Sequence, residues 1–172
     1  MNRGSILSIS AMTVLGLALV PSSAVSQQKS LKDQLVGAWT LVSRDNTAPD
    51  GTKGQPFGPN PRGILILDAS GRYADIEMRP DRPKFKASAN MYLDTSDAEF
   101  GAAAKGFAAN FGTWSVNEAD KTLVRQHEGA LVPNNERNEA KDSVSLAGDE
   151  LKLSWNLVGG GGRGDEVWRR AK

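Results

Sequence analysis

The sequence predicts an all-β fold, an eight-stranded antiparallel up-and-down barrel. Eight short segments rich in bulky and β-branched residues alternate with segments rich in Gly, Pro, Asn and Asp. Most of these turn segments are short, so consecutive strands should lie side by side and run antiparallel. Eight strands can also close on themselves, which removes two exposed sheet edges and leaves an interior wide enough for one small ligand.

The first elements are predicted from their side-chain patterns. Residues 31–36 are expected to form an amphipathic helical turn, and 37–44 form the first strand, in which Trp39 and Leu41 share one face. A long loop rich in Pro, Gly, Asn and Asp covers residues 45–61.

A hairpin follows this loop. Its strands are predicted at 62–68 and 72–79, around the turn 69–71. Strict alternation in the second strand sets two faces apart, and the register of the barrel decides which one is inside. The two faces consist of Tyr73, Asp75, Glu77 and Arg79, and of Ala74, Ile76 and Met78.

The second half of the chain contains one predicted helix and five predicted strands. The helix is expected over 97–110, between the third and fourth strands, from the helical spacing of Phe100, Ala103, Ala104 and Phe107. The strands are expected at 111–116, 122–128, 141–146, 150–157 and 165–170, with a glycine loop at 159–164 before the last of them.

The composition indicates one ordinary globular domain and excludes several functions. The chain has 172 residues, 24% of them charged, and a net charge of +1, with no clustered basic face to bind nucleic acid. It has no Cys and one His, so disulfides, a lipid anchor on Cys and a structural zinc site are not expected. No cofactor and no metal are predicted.

The N-terminal segment, residues 1–26, is predicted to be a secretory signal peptide. Arg3 precedes an apolar run over 6–20, and Ala24-Val25-Ser26 supplies small residues for cleavage. A membrane anchor is the alternative, but the run is short for a span of about 20 residues. We therefore expect a secreted or periplasmic domain, residues 27–172, without a stable membrane span after cleavage.

Three motifs resemble the lipocalin-like domain family of small bacterial and fungal proteins. They are Gly-Ala-Trp at 37–39, Gly-Pro-Asn-Pro-Arg-Gly at 58–63 with Met-Arg-Pro-Asp-Arg-Pro at 78–83, and Phe-Gly-Thr-Trp-Ser-Val at 111–116. The resemblance implies a lipocalin-like barrel and no particular activity. Within that barrel, Gly37 and Trp39 are expected to close one end, with Arg169 or Arg170 stacked against the indole.

Two groups of residues are candidates for ligand binding. Arg62, Arg79 and Arg82 are predicted either to clamp a ligand carboxylate or carbonyl at the barrel mouth or to pin the proline-rich loop through salt bridges. A set of large apolar residues is predicted either to line an apolar cavity or to fill the core. This set consists of Phe57, Met78, Phe85, Met91, Tyr92, Phe100, Phe107 and Phe111.

The acid–base candidates are Tyr73, Asp75, Glu77, His127 and Glu128. If its face of the strand points into the lumen, His127 is expected to contact ligand and to be able to transfer a proton near neutral pH; otherwise it is a solvated surface residue. We assign no catalytic residue.

Three hypotheses for function stay open. The sequence favours an exported barrel that binds a small, largely apolar molecule without catalysis. The alternatives are a barrel enzyme of cyclase or isomerase type, and a structural or partner-binding envelope protein with a filled barrel.

Overall fold

The computed structural model describes Met1, residues 29–86, residues 95–157, Gly159 and residues 161–172. The predicted signal peptide lies outside these residues apart from Met1 and stays a prediction. Among the described residues, no helix is long and apolar enough to cross a membrane.

The strands form one antiparallel sheet that closes into a barrel, because the first strand pairs with both the third and the last. The second strand has two residues and pairs only with the end of the first, so the closed barrel has eight strands, as predicted. The strands are β1 (Gly37–Thr47), β2 (Lys53–Gly54), β3 (Arg62–Leu67), β4 (Arg72–Met78), β5 (Phe107–Asn117), β6 (Thr122–Ala130), β7 (Glu139–Ala147), β8 (Glu150–Asn156) and β9 (Arg163–Arg170).

Helix α1 (Leu31–Leu35) closes one end of the barrel. The Ser30 hydroxyl caps it by accepting a hydrogen bond from the Asp33 amide at 3.0 Å. The amides of Leu31 and Lys32, which have no partner inside the helix, donate to the carboxylate of Glu118, each at 2.9 Å. These bonds fix α1 to the β5–β6 turn.

Helix α2 (Asp97–Ala104) is shorter than the predicted helix 97–110, and that prediction is wrong beyond Ala104. A capping box between Ser96 and Glu99 begins the helix. Beyond Gly106 the chain pairs with β4, where Phe107 lies opposite Met78. Hydrogen bonds to β4 therefore satisfy the backbone N–H and C=O groups that a longer helix would have paired internally, and Phe107 belongs to a strand.

The interior has an apolar half next to α1 and a polar half at the other end. The apolar half is filled by Leu35, Trp39, Leu41, Leu65, Leu67, Tyr73, Trp114, Leu123, Val144, Leu151, Leu153 and Trp168. The polar half contains buried charged side chains that continue the inward faces of the same strands, namely Asp75, Glu77, Arg125, Asp142 and Glu166.

Trp39 closes the apolar half, as predicted from the sequence. Its indole N–H donates to the Leu35 carbonyl at 2.9 Å, and its ring lies 4.1 Å from the guanidinium carbon of Arg170. Of the two arginines predicted to stack on the indole, Arg169 pairs opposite Thr40 and is exposed, and Arg170 is the stacking residue. Gly37 precedes Trp39 at φ 138°, a conformation that side chains rarely adopt.

Candidate functional site

The polar half of the lumen contains a cavity of about 380 Å³. Its inner wall is formed by charged side chains from β1, β4, β6, β7 and β9. Exposed residues of the β6–β7 connection, such as Leu131, Val132 and Asn135, line it as well and form its mouth. The inner wall consists of Arg44, Asp75, Glu77, Arg125, Asp142 and Glu166.

Two arginines each bridge carboxylates of different strands. Arg125 on β6 donates to Asp75 on β4 at 2.9 Å and, through Nε, to Asp142 on β7 at 3.0 Å. Arg44 on β1 pairs with Glu77 on β4, and with Glu166 on β9 at 3.2 Å. The Arg125–Asp75 and Arg44–Glu77 pairs connect strands that are not neighbours in the sheet, so they fix the cross-section of the barrel.

Aromatic rings hold Arg44 in place. Its guanidinium carbon lies 5.0 Å from the Phe57 ring and 5.1 Å from the Trp155 ring. Phe57 is buried and belongs to the long loop between β2 and β3, which therefore folds over the polar end. Trp155 lies across Gly164, where a Cβ atom would be 2.2 Å from the indole, so only glycine allows this position of the ring.

Several polar atoms at this site have no hydrogen-bond partner among the described residues. They include Asp75 Oδ1 and Glu77 Oε2, whose residues are 3% and 1% exposed and line the cavity. A hydrogen-bond partner is also missing, among the described residues, for Tyr73 Oη, His127 Nδ1 and Arg44 Nε. Leaving a buried polar atom unpaired costs about 1–3 kcal/mol, so a ligand that supplied partners to these atoms would recover that free energy.

Burial shifts the ionisation of the lining groups. It raises the pKa of Asp75 to about 6; the charge of Arg125 opposes the shift and the charge of Glu77 adds to it. Burial, followed by the charges of Glu77 and Asp75, raises the pKa of Glu166 well above its usual range. Burial and Arg125 lower the pKa of His127, so its imidazole is neutral at pH 7.

An Asp75→Asn variant is expected to change the pH dependence of stability. The pKa of Asp75 is about 6 in the folded chain and ordinarily 3.8, so the folded state holds this proton more tightly than the unfolded state. The resulting stability is present below the ordinary pKa and is lost as the pH rises through 6. The free energy of unfolding of the variant, relative to the parent protein, should therefore rise by about 3 kcal/mol between about pH 3.5 and about pH 7.

Urea unfolding across this pH range measures the effect, and Asp68→Asn is the matched control. Hydrogen bonds from the side chain and then the amide of Ser70 lower the pKa of the exposed Asp68 carboxylate. Its relative free energy should therefore change with pH in the opposite direction. Parallel pH profiles for the two variants would contradict the assignment.

The structure places the predicted acid–base residues in two environments. His127 lines the cavity, and its ring lies 6.1 Å from that of Tyr73 at the boundary with the apolar half. Glu128 lies outside, because an irregularity in the β5–β6 pairing puts His127 opposite Gly112 and Gly129 opposite Phe111. The extra residue, Glu128, pairs with Arg72 on the barrel surface.

The predicted arginine cluster lies away from the lumen. Arg62, Arg79 and Arg82 line a groove beside α2, together with Met78 and Phe85. Arg79 pairs with its near neighbour Asp81 at 2.9 Å, and Arg82 stacks 4.9 Å from the Phe107 ring. A ligand role for this group stays a prediction.

The predicted apolar lining does not form one wall. The Phe85 and Phe100 rings pack edge to face with centroids 5.1 Å apart, and Phe111 is 52% exposed on the outer face. Met91 and Tyr92 lie outside the described residues.

Sequence reasoning missed Arg44, Arg125, Asp142 and Glu166 as site residues. A signal for three of them is present in the sequence. Arg125, Asp142 and Glu166 each stand two positions from a buried apolar residue on the same strand, namely Leu123, Val144 and Trp168. Charged residues in phase with core residues on three strands indicate a polar extension of the core.

No group of three or more His, Asp or Glu side chains within the described part of the chain is arranged to hold a metal ion. The family model described as a lipocalin-like domain matches residues 36–171, a span that includes every strand of the barrel. No curated protein matches the chain.

Proposed function

The chain belongs to the lipocalin-like domain family, and from that premise we propose that it binds a small organic molecule in the polar half of its barrel. The fold supports small-molecule binding in general, because an eight-stranded barrel can enclose one ligand. The observation that carries the proposal is a cavity lined by Asp75 and Glu77, each of which has one carboxylate oxygen without a hydrogen-bond partner among the described residues.

The chemistry of the cavity favours a polar ligand over the largely apolar one expected from the sequence. Packed side chains already fill the apolar half, whereas charged residues line the open half. A ligand that donates hydrogen bonds would satisfy the unpaired oxygens, and a purely apolar ligand would leave them buried without partners. The volume of about 380 Å³ lies in the lower part of the usual range for ligand pockets, about 300–1,000 Å³. An open cavity of this size also argues against the filled-barrel alternative.

A fragment screen by ligand-observed NMR tests the proposal on the full chain. Ala140 lies on β7, lines the cavity and pairs opposite Arg125, so Ala140→Leu should fill part of the space. Ala147 lies at the far end of the same strand, away from the cavity, and Ala147→Leu is the matched control. We expect polar fragments to bind the parent protein and Ala147→Leu with similar affinity. Their affinity for Ala140→Leu should be at least about tenfold lower, equivalent to about 1.4 kcal/mol of binding free energy. A library without any such fragment would contradict the proposal.

A further inference from the structure

The polar cavity has a preferred ligand charge. We propose that its ligand is an organic cation, an amine or a guanidinium compound, that donates hydrogen bonds to Asp75 and Glu77. This inference rests on the proposed function and names the class of ligand for the same site.

The composition of the cavity wall favours a positively charged ligand. The cavity wall contains four buried carboxyl groups and two arginines, so carboxyl groups outnumber these arginines. Exposed charges would be screened by water, but these carboxyl groups are at most 3% exposed. A positively charged ligand would therefore compensate the excess of carboxyl groups over arginines in the cavity wall.

The position of the free acceptors also favours such a ligand. Asp75 and Glu77 stand two residues apart on one strand, about 7 Å along it, and both point into the lumen. Opposite them on β5 are Asn110 and Ala108, two side chains too short to occupy the space as an arginine would. An ammonium carries three donors and a guanidinium five, so either can donate to these free acceptors.

The lining of the cavity suits an anionic ligand or a metal ion less well than an organic cation. An anionic ligand would need free cationic donors, but Arg44 and Arg125 each already bind two carboxylates, and Lys141, which also lines the cavity, pairs with Glu139. Only Nε of Arg44 is left unpaired among their buried nitrogen atoms within the described residues. A metal ion would need a group of three ligating side chains, which the described part of the chain does not contain. An organic cation supplies its own donor geometry and needs no such group.

A proton on Asp75 competes with a cationic ligand. Burial gives Asp75 a pKa of about 6 in the free protein, so a cation has to displace a proton from this site in mildly acidic solution. Binding should therefore weaken as the pH falls from 7 to 5. The charged and titratable groups that face Asp75 from the surrounding strands are Arg44, Tyr73, Glu77, Arg125, His127, Asp142 and Glu166.

Isothermal titration calorimetry of the full chain tests the inference with probes of one shape and three charges. The probes are phenethylamine, 2-phenylethanol and 3-phenylpropanoate, and agmatine is added as a guanidinium probe. We expect at least one of the two cations to bind at pH 7 at least tenfold more tightly than the neutral and anionic probes. Its affinity should fall about tenfold at pH 5, and buffers of different ionisation enthalpy should report a released proton.

Variants locate the binding. Glu77→Gln should weaken binding of the cation at least fivefold, whereas Glu150→Gln, the same change beside Lys152 on the barrel surface, should leave it unchanged. The probe comparison on the parent protein does not depend on whether Glu77→Gln folds. Neutral or anionic probes that bind as tightly as the cations would overturn the inference and leave the proposed function intact. Calcium chloride that binds alone and displaces the cation would also overturn it. If neither these probes nor any cavity-dependent fragment binds, the proposed function fails as well.

Discussion

An Arg125→Met variant is expected to lose about 3–5 kcal/mol of unfolding free energy at pH 7. Arg125 is 7% exposed and bridges Asp75 and Asp142 inside the barrel. Methionine keeps most of the side-chain volume but leaves two buried carboxyl groups without a cation. The loss should become smaller at acid pH, because protonated carboxyl groups no longer carry an uncompensated charge. Chemical denaturation at pH 7 and pH 4.5 measures both effects.

Two further variants separate this loss from the general effect of removing an arginine. Arg72→Met removes an exposed partner of Glu128 and should change stability little. In the triple variant Asp75→Leu, Arg125→Met, Asp142→Leu, no charge of this group stays buried, and most of the lost stability should return. If the triple variant is as unstable as Arg125→Met, packing rather than uncompensated charge explains the loss.

A Trp39→Ala variant is expected to lower the free energy of unfolding by about 3–5 kcal/mol. Trp39 is fully buried, donates a hydrogen bond to Leu35 and carries the Arg170 guanidinium on its ring. Alanine would leave a large void between α1 and the barrel, because a helix tied to Glu118 cannot collapse freely into it. Thermal and urea unfolding measure the change.

Conservative variants at the same end of the barrel divide the contributions. Trp39→Phe keeps an aromatic ring and should lose less stability than Trp39→Ala. Arg170→Ala removes the stacked cation and its hydrogen bonds to Val36 and Gln34, whereas Arg169→Ala changes an exposed side chain. Equal effects of these two arginine variants would contradict the stacking assignment.

The fold was predictable because strand alternation and turn composition are local signals. The inserted helix was predicted too long, since the spacing of Phe107 fits a helix as well as a strand that pairs with β4. Phe107 lies in a strand because β4, which is distant in the sequence, pairs with it. A local sequence pattern carries no information about such a partner.

The inward face of β4 was harder to predict, and the site depended on it. A rule that puts apolar residues inside would bury Ala74, Ile76 and Met78, but the structure buries Tyr73, Asp75 and Glu77 instead. Buried carboxyl groups are tolerated there because β1 and β6 bring arginines to the same level of the lumen. That match depends on the register of four strands, which one sequence does not specify.

The closure of the barrel by β1 and β9 has a consequence for folding kinetics. The guanidinium of Arg170 bonds the carbonyl of Val36, and these residues stand 134 positions apart in the chain. A contact of such length forms only after most of the polypeptide has been ordered, and folds dominated by contacts of this kind cross their barrier in about milliseconds to seconds. A ribosome therefore releases nearly the whole chain before the seam can close. A circular permutant that joins the present ends and opens the β5–β6 turn would make this seam local and should speed its formation.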